Sequence, residues 1–156
     1  MDKAESEQEQ ADLINHRAVA ALAQGAAELG ACLVHVSTDY VFDGCHHRPY
    51  PEDHPTAPVN FYGESKLRGE RAIHESGASS LIIRTSWVYS EFGSNFVKTM
   101  LRLGAERQQL NVIDDQVGSP TYAPDLARMI CTLLSQYQAA ANAKMLSRST
   151  ARQCIY

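Results

Sequence analysis

The feature that most constrains the fold is a short, almost continuous apolar run, ACLVHV, at residues 31–36. Strands that are buried on both faces of a parallel sheet have such runs, whereas half-exposed strands alternate apolar and polar residues. A second run, SLIIRTS, covers residues 80–86, and a weaker one covers residues 110–113. Helical periodicity separates these runs, and strands that alternate with helices predict βαβ units. The expected fold class is therefore α/β with a parallel sheet.

Periodicity predicts helices at residues 9–29, 59–75, 95–107 and 124–136. Between the first strand and the second helix, residues 39–58 lack periodicity and contain four prolines, which predicts a long loop. Loops of this length in compact domains are usually functional. Residues 137–156 show no clear periodicity.

Composition argues against several classes of function. The 156 residues carry a formal net charge of −4, whereas a nucleic-acid surface needs a basic stripe. No apolar run approaches the roughly 18 residues of a membrane-spanning helix, and the acidic, polar N-terminus is not typical of a signal peptide. The four cysteines have no C-x-x-C spacing, so we expect reduced thiols in a cytoplasmic protein.

Tyr62 and Lys66 lie four residues apart in the second predicted helix and therefore share one of its faces. Ser37 and Thr38 stand at the end of the first strand, and the ends of parallel strands carry ligands. A hydroxyl, a phenol and an ammonium group that meet there suit the reduction of a carbonyl. The phenol donates a proton to the carbonyl oxygen, and the lysine charge lowers the phenol pKa from about 10. A cofactor must supply the hydride.

Two other clusters have simpler explanations. Four residues of types that can bind metals share the long loop: Cys45, His46, His47 and His54. Their spacing fits no standard zinc pattern, so we expect a solvated loop and no metal. Asp114 and Asp115 are adjacent and would point apart on a strand, which favours a turn. No G-x-G-x-x-G or G-x-x-G-x-x-G motif occurs, although the pyrophosphate of a dinucleotide normally sits on such a loop.

Six motifs in order resemble the dTDP-4-dehydrorhamnose reductase family of the extended short-chain dehydrogenases/reductases. They are DKAESE at 2–7, VHVSTDYVFDG at 34–44, YGESKLRGE at 62–70, RTSWVY at 84–89, NFVKTML at 95–101 and DQVGSPT at 115–121. The resemblance covers residues 1–135 and implies a partial Rossmann-type doubly wound parallel sheet, the C-terminal half of a dinucleotide-binding domain. Residues 136–156 resemble nothing in the family and are taken as a divergent tail, with disorder as one alternative.

The resemblance implies that NADPH or NADH reduces the 4-keto group of a dTDP-sugar to give dTDP-L-rhamnose. It assigns proton donation to Tyr62, while Lys66 holds the nicotinamide ribose and lowers the pKa of Tyr62. Thr38 would bind the keto oxygen, and Ser37 would lie against the cofactor beside Tyr62 and Lys66. The residues that it assigns to the sugar and diphosphate are Asp39, Tyr40, Trp87 and Asn95. Family members can pair as homodimers through an interface that a metal such as Mg²⁺ assists, but the motifs do not identify its ligands here.

In the family, a strand and a glycine-rich loop precede the part that this chain matches, so we expect the chain alone to bind NADPH weakly and to have little activity. Two alternatives remain open. One is a sugar-nucleotide epimerase or dehydratase. Dehydratases typically place acidic residues after the strand-end threonine, whereas in this chain Asp39 is followed by Tyr40. The other is a non-catalytic subunit that resembles the methionine adenosyltransferase beta subunit. The strand-end motif of that subunit tends toward Ser-Ser-Asp-Tyr, whereas this chain has Ser-Thr-Asp-Tyr at residues 37–40.

Overall fold

The computed structural model describes residues 2–113, 116–144 and 153–155. The helices are α1 (Asp2–Ser6), α2 (Gln8–Asp12), α3 (Ala18–Leu29), α4 (Phe61–Ser76), α5 (Phe96–Glu106) and α6 (Ala123–Lys144). The strands are β1 (Cys32–Thr38), β2 (Ser79–Thr85), β3 (Val88–Tyr89), β4 (Thr121–Tyr122) and β5 (Gln153–Ile155). A π-helical segment, Leu13–Arg17, joins α2 to α3, and a 3₁₀ turn, Asp39–Val41, follows β1. The chain divides into two compact units, the first with residues 1–85 and 150–156 and the second with residues 86–149.

The first unit contains a parallel sheet with the strand order β1-β2-β5. Cys32 lies opposite Ser79 at one end of the β1–β2 pair, and Thr38 lies opposite Thr85 at the other. The α/β class and the parallel pairing that the apolar runs predict are therefore confirmed. Among the described strands β1 pairs only with β2, and its Val36 is 41% exposed. An apolar strand with an unpaired edge favours association with other chains.

Two small clusters form the core of the first unit. Val19 and Ala23 of α3 pack with Ile73 of α4 and Ile82 of β2, and so hold both helices on the sheet. Val41 and Phe42 pack with Leu67 of α4 in the second cluster, where Tyr50 also contacts them. The second cluster fixes the start of the long loop against the helix that carries the candidate site residues.

The C-terminal part of the chain differs from the sequence-based expectation. Helix α6 crosses the boundary predicted near residue 135 and continues to Lys144. Residues 138–144 are QAAANAK, and alanine is the strongest helix former, so local propensity extends the helix without an apolar period. Strand β5 pairs parallel with β2, with Leu81 opposite Gln153. Residues 145–152 and 156 lie outside the described residues.

The second unit contains a two-stranded parallel sheet in which Val88 lies opposite Thr121. Strands of two residues are too short to give a periodic signal, and periodicity did not predict them. The weak strand expected at residues 110–113 is wrong, because those residues form no strand in the structure. None of the helices in the described part of the chain has the length and apolar character needed to cross a bilayer.

Candidate active site

The carboxyl end of β1 brings two adjacent hydroxyl side chains, those of Ser37 and Thr38, to the edge of the sheet, and both are buried. Thr38 Oγ1 accepts a hydrogen bond from the Tyr40 amide at 3.2 Å and donates one to Asp39 Oδ1 at 3.1 Å. The threonine side chain thereby caps the 3₁₀ turn Asp39–Val41. Its orientation therefore follows from bonds within a run of three residues.

Ser37 Oγ has no hydrogen-bond partner in the described part of the chain, although the side chain is buried. The great majority of buried polar atoms in proteins are paired, so an orphaned hydroxyl calls for an explanation. Its own carbonyl oxygen accepts a bond from Thr85 Oγ1 at 3.3 Å, which fixes the backbone at this point. The position of Ser37 at the end of a parallel strand fits contact with a ligand.

Helix α4 begins beside this strand end and carries the tyrosine and the lysine. Asn60 Oδ1 accepts a hydrogen bond from the Gly63 amide at 2.8 Å and so caps the helix. Tyr62 lies in the first turn and Lys66 in the next, as the spacing predicts. Gly63 permits the close approach of α4 to the 3₁₀ turn, because a Cβ at this position would overlap the carbonyl group of Tyr40.

The phenol of Tyr62 lies among the residues that follow β1. Its ring meets the Tyr40 ring edge-on, with centroids 5.9 Å apart and an interplanar angle of 77°. Burial raises the pKa of Tyr62; a hydrogen bond with the Thr38 side chain lowers it and the Asp39 charge raises it again. The net direction is upward, opposite to the lowering expected from a neighbouring lysine. A raised pKa keeps the phenol protonated at neutral pH.

Lys66 directs its ammonium group toward β1. Nζ donates a hydrogen bond to the Val36 carbonyl at 2.8 Å and lies 3.5 Å from His35 Nε2. Burial lowers the pKa of Lys66, and the negative charge of Glu70 opposes that change. The lysine therefore reaches the strand that carries Ser37 and Thr38, while its hydrogen bonds go to the strand rather than to the phenol.

His35 is a neighbour of the site that the sequence did not single out, since one histidine in an apolar run resembles any core residue. Burial and, to a smaller extent, the Lys66 charge lower its pKa from 6.5 to about 4, while the Glu70 charge opposes the change. The ring is therefore neutral at pH 7, and a neutral ring can accept a bond from the lysine through Nε2.

The low pKa of His35 predicts a loss of stability in acid. Between pH 6.5 and about 4, His35 is protonated in the unfolded chain but neutral in the folded chain. Protonation therefore favours the unfolded state, and stability falls as the pH falls through this range. We expect the half-buried ring to contribute about 2 kcal/mol to the fall. Urea denaturation at pH 7 and pH 4.5 should show a smaller fall for His35→Gln than for the parent chain.

The acid sensitivity of the parent chain alone does not isolate the effect of His35, because Asp39 also contributes to it. Burial raises the pKa of this carboxyl, which acts in the opposite direction on stability over part of the same range. The matched control is His47→Gln, since His47 is exposed in the long loop. Equal acid sensitivity of the His35→Gln and His47→Gln variants would contradict the prediction.

A buried ion pair behind the site is another feature that the sequence did not reveal. Arg84 of β2 donates two hydrogen bonds to Glu70 of α4, from Nε at 3.1 Å and from Nη2 at 2.7 Å. The guanidinium also lies 4.9 Å from the centre of the Phe42 ring, and Nη1 donates to the Glu52 carbonyl at 3.4 Å. This pair connects α4, β2 and the long loop. Both residues belong to the motifs YGESKLRGE and RTSWVY, and only their three-dimensional pairing shows what they do.

Two predicted substrate residues, Trp87 and Asn95, lie in the second unit, whereas the other six site residues lie in the first. Trp87 has a left-handed backbone, with φ of 45°, and its carbonyl accepts a bond from the Thr121 amide at 3.2 Å. A φ in this range is strained for a tryptophan. Its ring packs directly on Gly118, where a side chain would collide with the indole.

Asn95 has an evident structural role in the second unit. Its Oδ1 accepts a hydrogen bond from the Lys98 amide at 3.0 Å and caps α5, while Nδ2 donates to the Ser90 carbonyl at 2.6 Å. These bonds occupy both ends of the amide group. The contact with a diphosphate that the resemblance implies stays a prediction.

Two histidines of the long loop, His46 and His54, form a cluster of rings with Tyr50. The His46 and His54 centroids are 4.7 Å apart, and both rings meet Tyr50 edge-on at 5.1 and 4.9 Å. Tyr50 in turn stacks on Phe42 at 4.4 Å. Within the described ranges no group of three or more His, Cys, Asp or Glu residues is arranged to hold a metal ion.

The chain is similar in sequence to one protein family and to several known enzymes of that family. A family model described as the RmlD substrate binding domain matches residues 1–154. The chain is 57% identical over 127 residues to a dTDP-4-dehydrorhamnose reductase of Escherichia coli K12. The match covers 81% of this chain and 42% of that protein. It is 47% identical over 151 residues to a dTDP-4-dehydrorhamnose reductase of Sinorhizobium fredii, covering 97% of this chain and 48% of that protein.

A solved structure shows the same similarity. The dTDP-4-dehydrorhamnose reductase of Bacillus anthracis, crystallised in complex with NADP, matches with a TM-score of 0.82 and 47% identity over 86% of this chain and 48% of that one. The predicted partial Rossmann-type fold is thereby confirmed. The chain spans about half the length of the relatives that it matches. The family match also includes residues 136–154, which the motif comparison left outside the family.

Proposed function

Since the chain belongs to the RmlD substrate-binding domain family, we propose that it supplies the catalytic residues of a dTDP-4-dehydrorhamnose reductase. The observation that carries the proposal is the meeting of Thr38 at the end of β1 with Tyr62 in the first turn of α4. Lys66, in the next turn of the same helix, donates a hydrogen bond to the Val36 carbonyl, two residues before Thr38. A phenol, a hydroxyl and an ammonium group around one strand end are the groups that reduction of a ketone requires.

Tyr62 is the proton donor in this proposal. Its raised pKa keeps the proton in place until a carbonyl oxygen that gains negative charge accepts it. Thr38 orients that oxygen through its hydroxyl group. Lys66 offers a positive charge that stabilises the phenolate left after the transfer. Reduced nicotinamide dinucleotide, as NADPH or NADH, supplies the hydride that no side chain can provide.

The residues present fit such a cofactor. Ser37 Oγ, which has no partner in the part of the chain that the structure describes, provides a polar contact at the strand end, and Lys66 Nζ can donate to ribose hydroxyls. Asp39 and Tyr40 lie beside them in the 3₁₀ turn and are proposed to contact the sugar of a dTDP-4-keto substrate. Trp87 and Asn95 are proposed for the same substrate on the family resemblance. The proposal also includes a cytoplasmic location and pairing as a homodimer.

The alternatives have less support. The relatives at 57% and 47% identity both carry the name dTDP-4-dehydrorhamnose reductase, so their names do not favour an epimerase, a dehydratase or a regulatory subunit. The sequence Thr38-Asp39-Tyr40 also lacks the second acidic residue that a dehydratase would place there. We therefore retain the reductase as the one proposed activity.

The test is a chimera in which the matching 127 residues of this chain replace their counterparts in the E. coli relative. We expect it to oxidise NADPH, followed at 340 nm, in the presence of dTDP-4-dehydrorhamnose. Tyr62→Phe removes the proton donor and should lower kcat by a factor of about 10² to 10³, with a smaller effect on KM.

The matched control for this test is Tyr50→Phe. It makes the same change in the same unit, at a hydroxyl that bonds to Asp43 in the long loop, and should keep most of the activity. A Tyr62→Phe chimera as active as its parent would contradict the proposal. Turnover of dTDP-glucose instead of the keto sugar would point to a dehydratase.

A further inference from the structure

We propose that Glu5 is a positioning residue that fixes Tyr62 by capping the first turn of α4 from a distant part of the chain. The catalytic meaning of this role rests on the function proposed above, whereas the contact itself does not. Glu5 Oε1 accepts a hydrogen bond from the Phe61 amide at 2.8 Å and a second from the Tyr62 amide at 3.4 Å. The amide of the proposed proton donor is therefore one of the two groups that Glu5 contacts.

The bonds of Glu5 complete the capping of α4. The first amides of a helix have no partner inside it and need acceptors from elsewhere. Asn60 Oδ1 accepts from the third residue, Gly63, at 2.8 Å, but it leaves the amides of Phe61 and Tyr62 to another acceptor. Glu5 satisfies both of these amides with one oxygen atom. A carboxylate at this end of a helix also interacts favourably with the helix dipole.

The position of Glu5 is set by α1 rather than by α4. More than fifty residues separate it from Phe61 along the chain, so local sequence does not account for the contact. Ala4, its neighbour in α1, is buried and anchors this short helix. Glu5 itself is exposed apart from its two bonds, so packing of its side chain does not explain its orientation. A side chain of α1 therefore fixes the first two amides of α4.

The expected consequence is control of the environment of the Tyr62 phenol. The Tyr62 ring meets the Tyr40 ring edge-on, its hydroxyl shares a hydrogen bond with the Thr38 side chain, and burial raises its pKa. If the first turn of α4 frays, the ring gains solvent and its pKa moves down toward the ordinary value near 10. A side chain that only adds general stability would not change the titration of this one phenol.

The experiment follows the whole chain by NMR, using amide exchange and the titration of Tyr62 Cζ. For Glu5→Ala we expect exchange of the Phe61 and Tyr62 amides to be about tenfold faster, little change at Gly63, and a lower pKa for Tyr62. Glu5→Gln keeps an oxygen acceptor and should restore most of both properties. The matched control is Glu9→Ala, which removes an exposed glutamate from the same part of the chain and should change neither.

An unchanged Tyr62 titration in Glu5→Ala would overturn the proposal, as would failure of Glu5→Gln to restore it or an equal effect of Glu9→Ala. Should Glu5→Ala not fold, Glu5→Asp takes its place, because its shorter side chain withdraws the carboxylate from the two amides. Neither readout involves a cofactor or a substrate. Failure of the reductase assay would therefore leave the capping result standing, and loss of the capping would leave the reductase assay to be decided separately.

Discussion

Replacing Glu70 with alanine is expected to lower the free energy of unfolding by about 3 to 5 kcal/mol. Glu70 is 1% exposed and Arg84 is 9% exposed, and two hydrogen bonds join them. Removal of the carboxylate leaves a guanidinium that is buried, permanently charged and without its main acceptor. Urea denaturation of the chain, followed by circular dichroism, measures the change.

The chain provides a matched control on the same helix. Glu64 pairs with Arg68 at 3.0 Å, but the side chains of that pair are 34% and 41% exposed. Exposed pairs contribute little, so Glu64→Ala should cost less than about 1 kcal/mol. Replacing both Glu70 and Arg84 with methionine should restore part of the loss, because no unpaired charge remains. A Glu70→Ala variant as stable as Glu64→Ala would show that the buried pair contributes no more than a surface pair.

Replacing Gly63 with alanine is expected to destabilise the chain by about 3 kcal/mol, near the upper end of the range for overpacking. The added methyl group would overlap the carbonyl group of Tyr40 and approach Pro58 Cβ at 3.1 Å. A backbone carbonyl cannot rotate away as a flexible side chain could, so α4 must move away from the 3₁₀ turn. The favourable change in helix propensity, up to about 1 kcal/mol, is too small to offset the overlap.

Gly25→Ala is the control for this substitution, because Gly25 lies inside α3 and a Cβ there meets no atom within 4 Å. It should stabilise the chain by about 0.5 to 1 kcal/mol. Thermal and urea denaturation compare the two variants, and the NMR signals of Tyr40 and Tyr62 report whether their edge-on contact is lost. A Gly63→Ala variant as stable as Gly25→Ala would mean that the turn adjusts without cost.

The fold was predictable where burial imposes a pattern. The runs at residues 31–36 and 80–86 differ from β1 and β2 by one or two residues at their ends, and their parallel pairing follows from the helix between them. Helix α4 likewise begins two residues after its predicted start. The strands β3 and β4 were not predictable, because two residues cannot display a period.

The placement of the candidate site residues on their strand and helix was predictable, but their electrostatics were not. The spacing of Tyr62 and Lys66 predicted a shared helix face, and Ser37 and Thr38 were expected at a strand end; the structure agrees on both points. A lowered pKa for Tyr62 was also expected, yet burial raises it. A pKa depends on the solvent that neighbouring elements exclude and on the charges that they bring near, and linear spacing contains neither quantity.

The sequence by itself determined the parallel α/β arrangement, the family resemblance and the identity of the residues at the end of β1, because these depend on local patterns and short motifs. Only the tertiary structure decided that Glu5 caps α4, that Glu70 and Arg84 form a buried pair, and that the Ser37 hydroxyl has no partner among the described residues. The first two contacts join residues of different elements, and the third follows from the way these elements exclude water. Such contacts form only when helices and strands pack together, so they cannot be predicted from a periodic pattern or a short motif in the sequence.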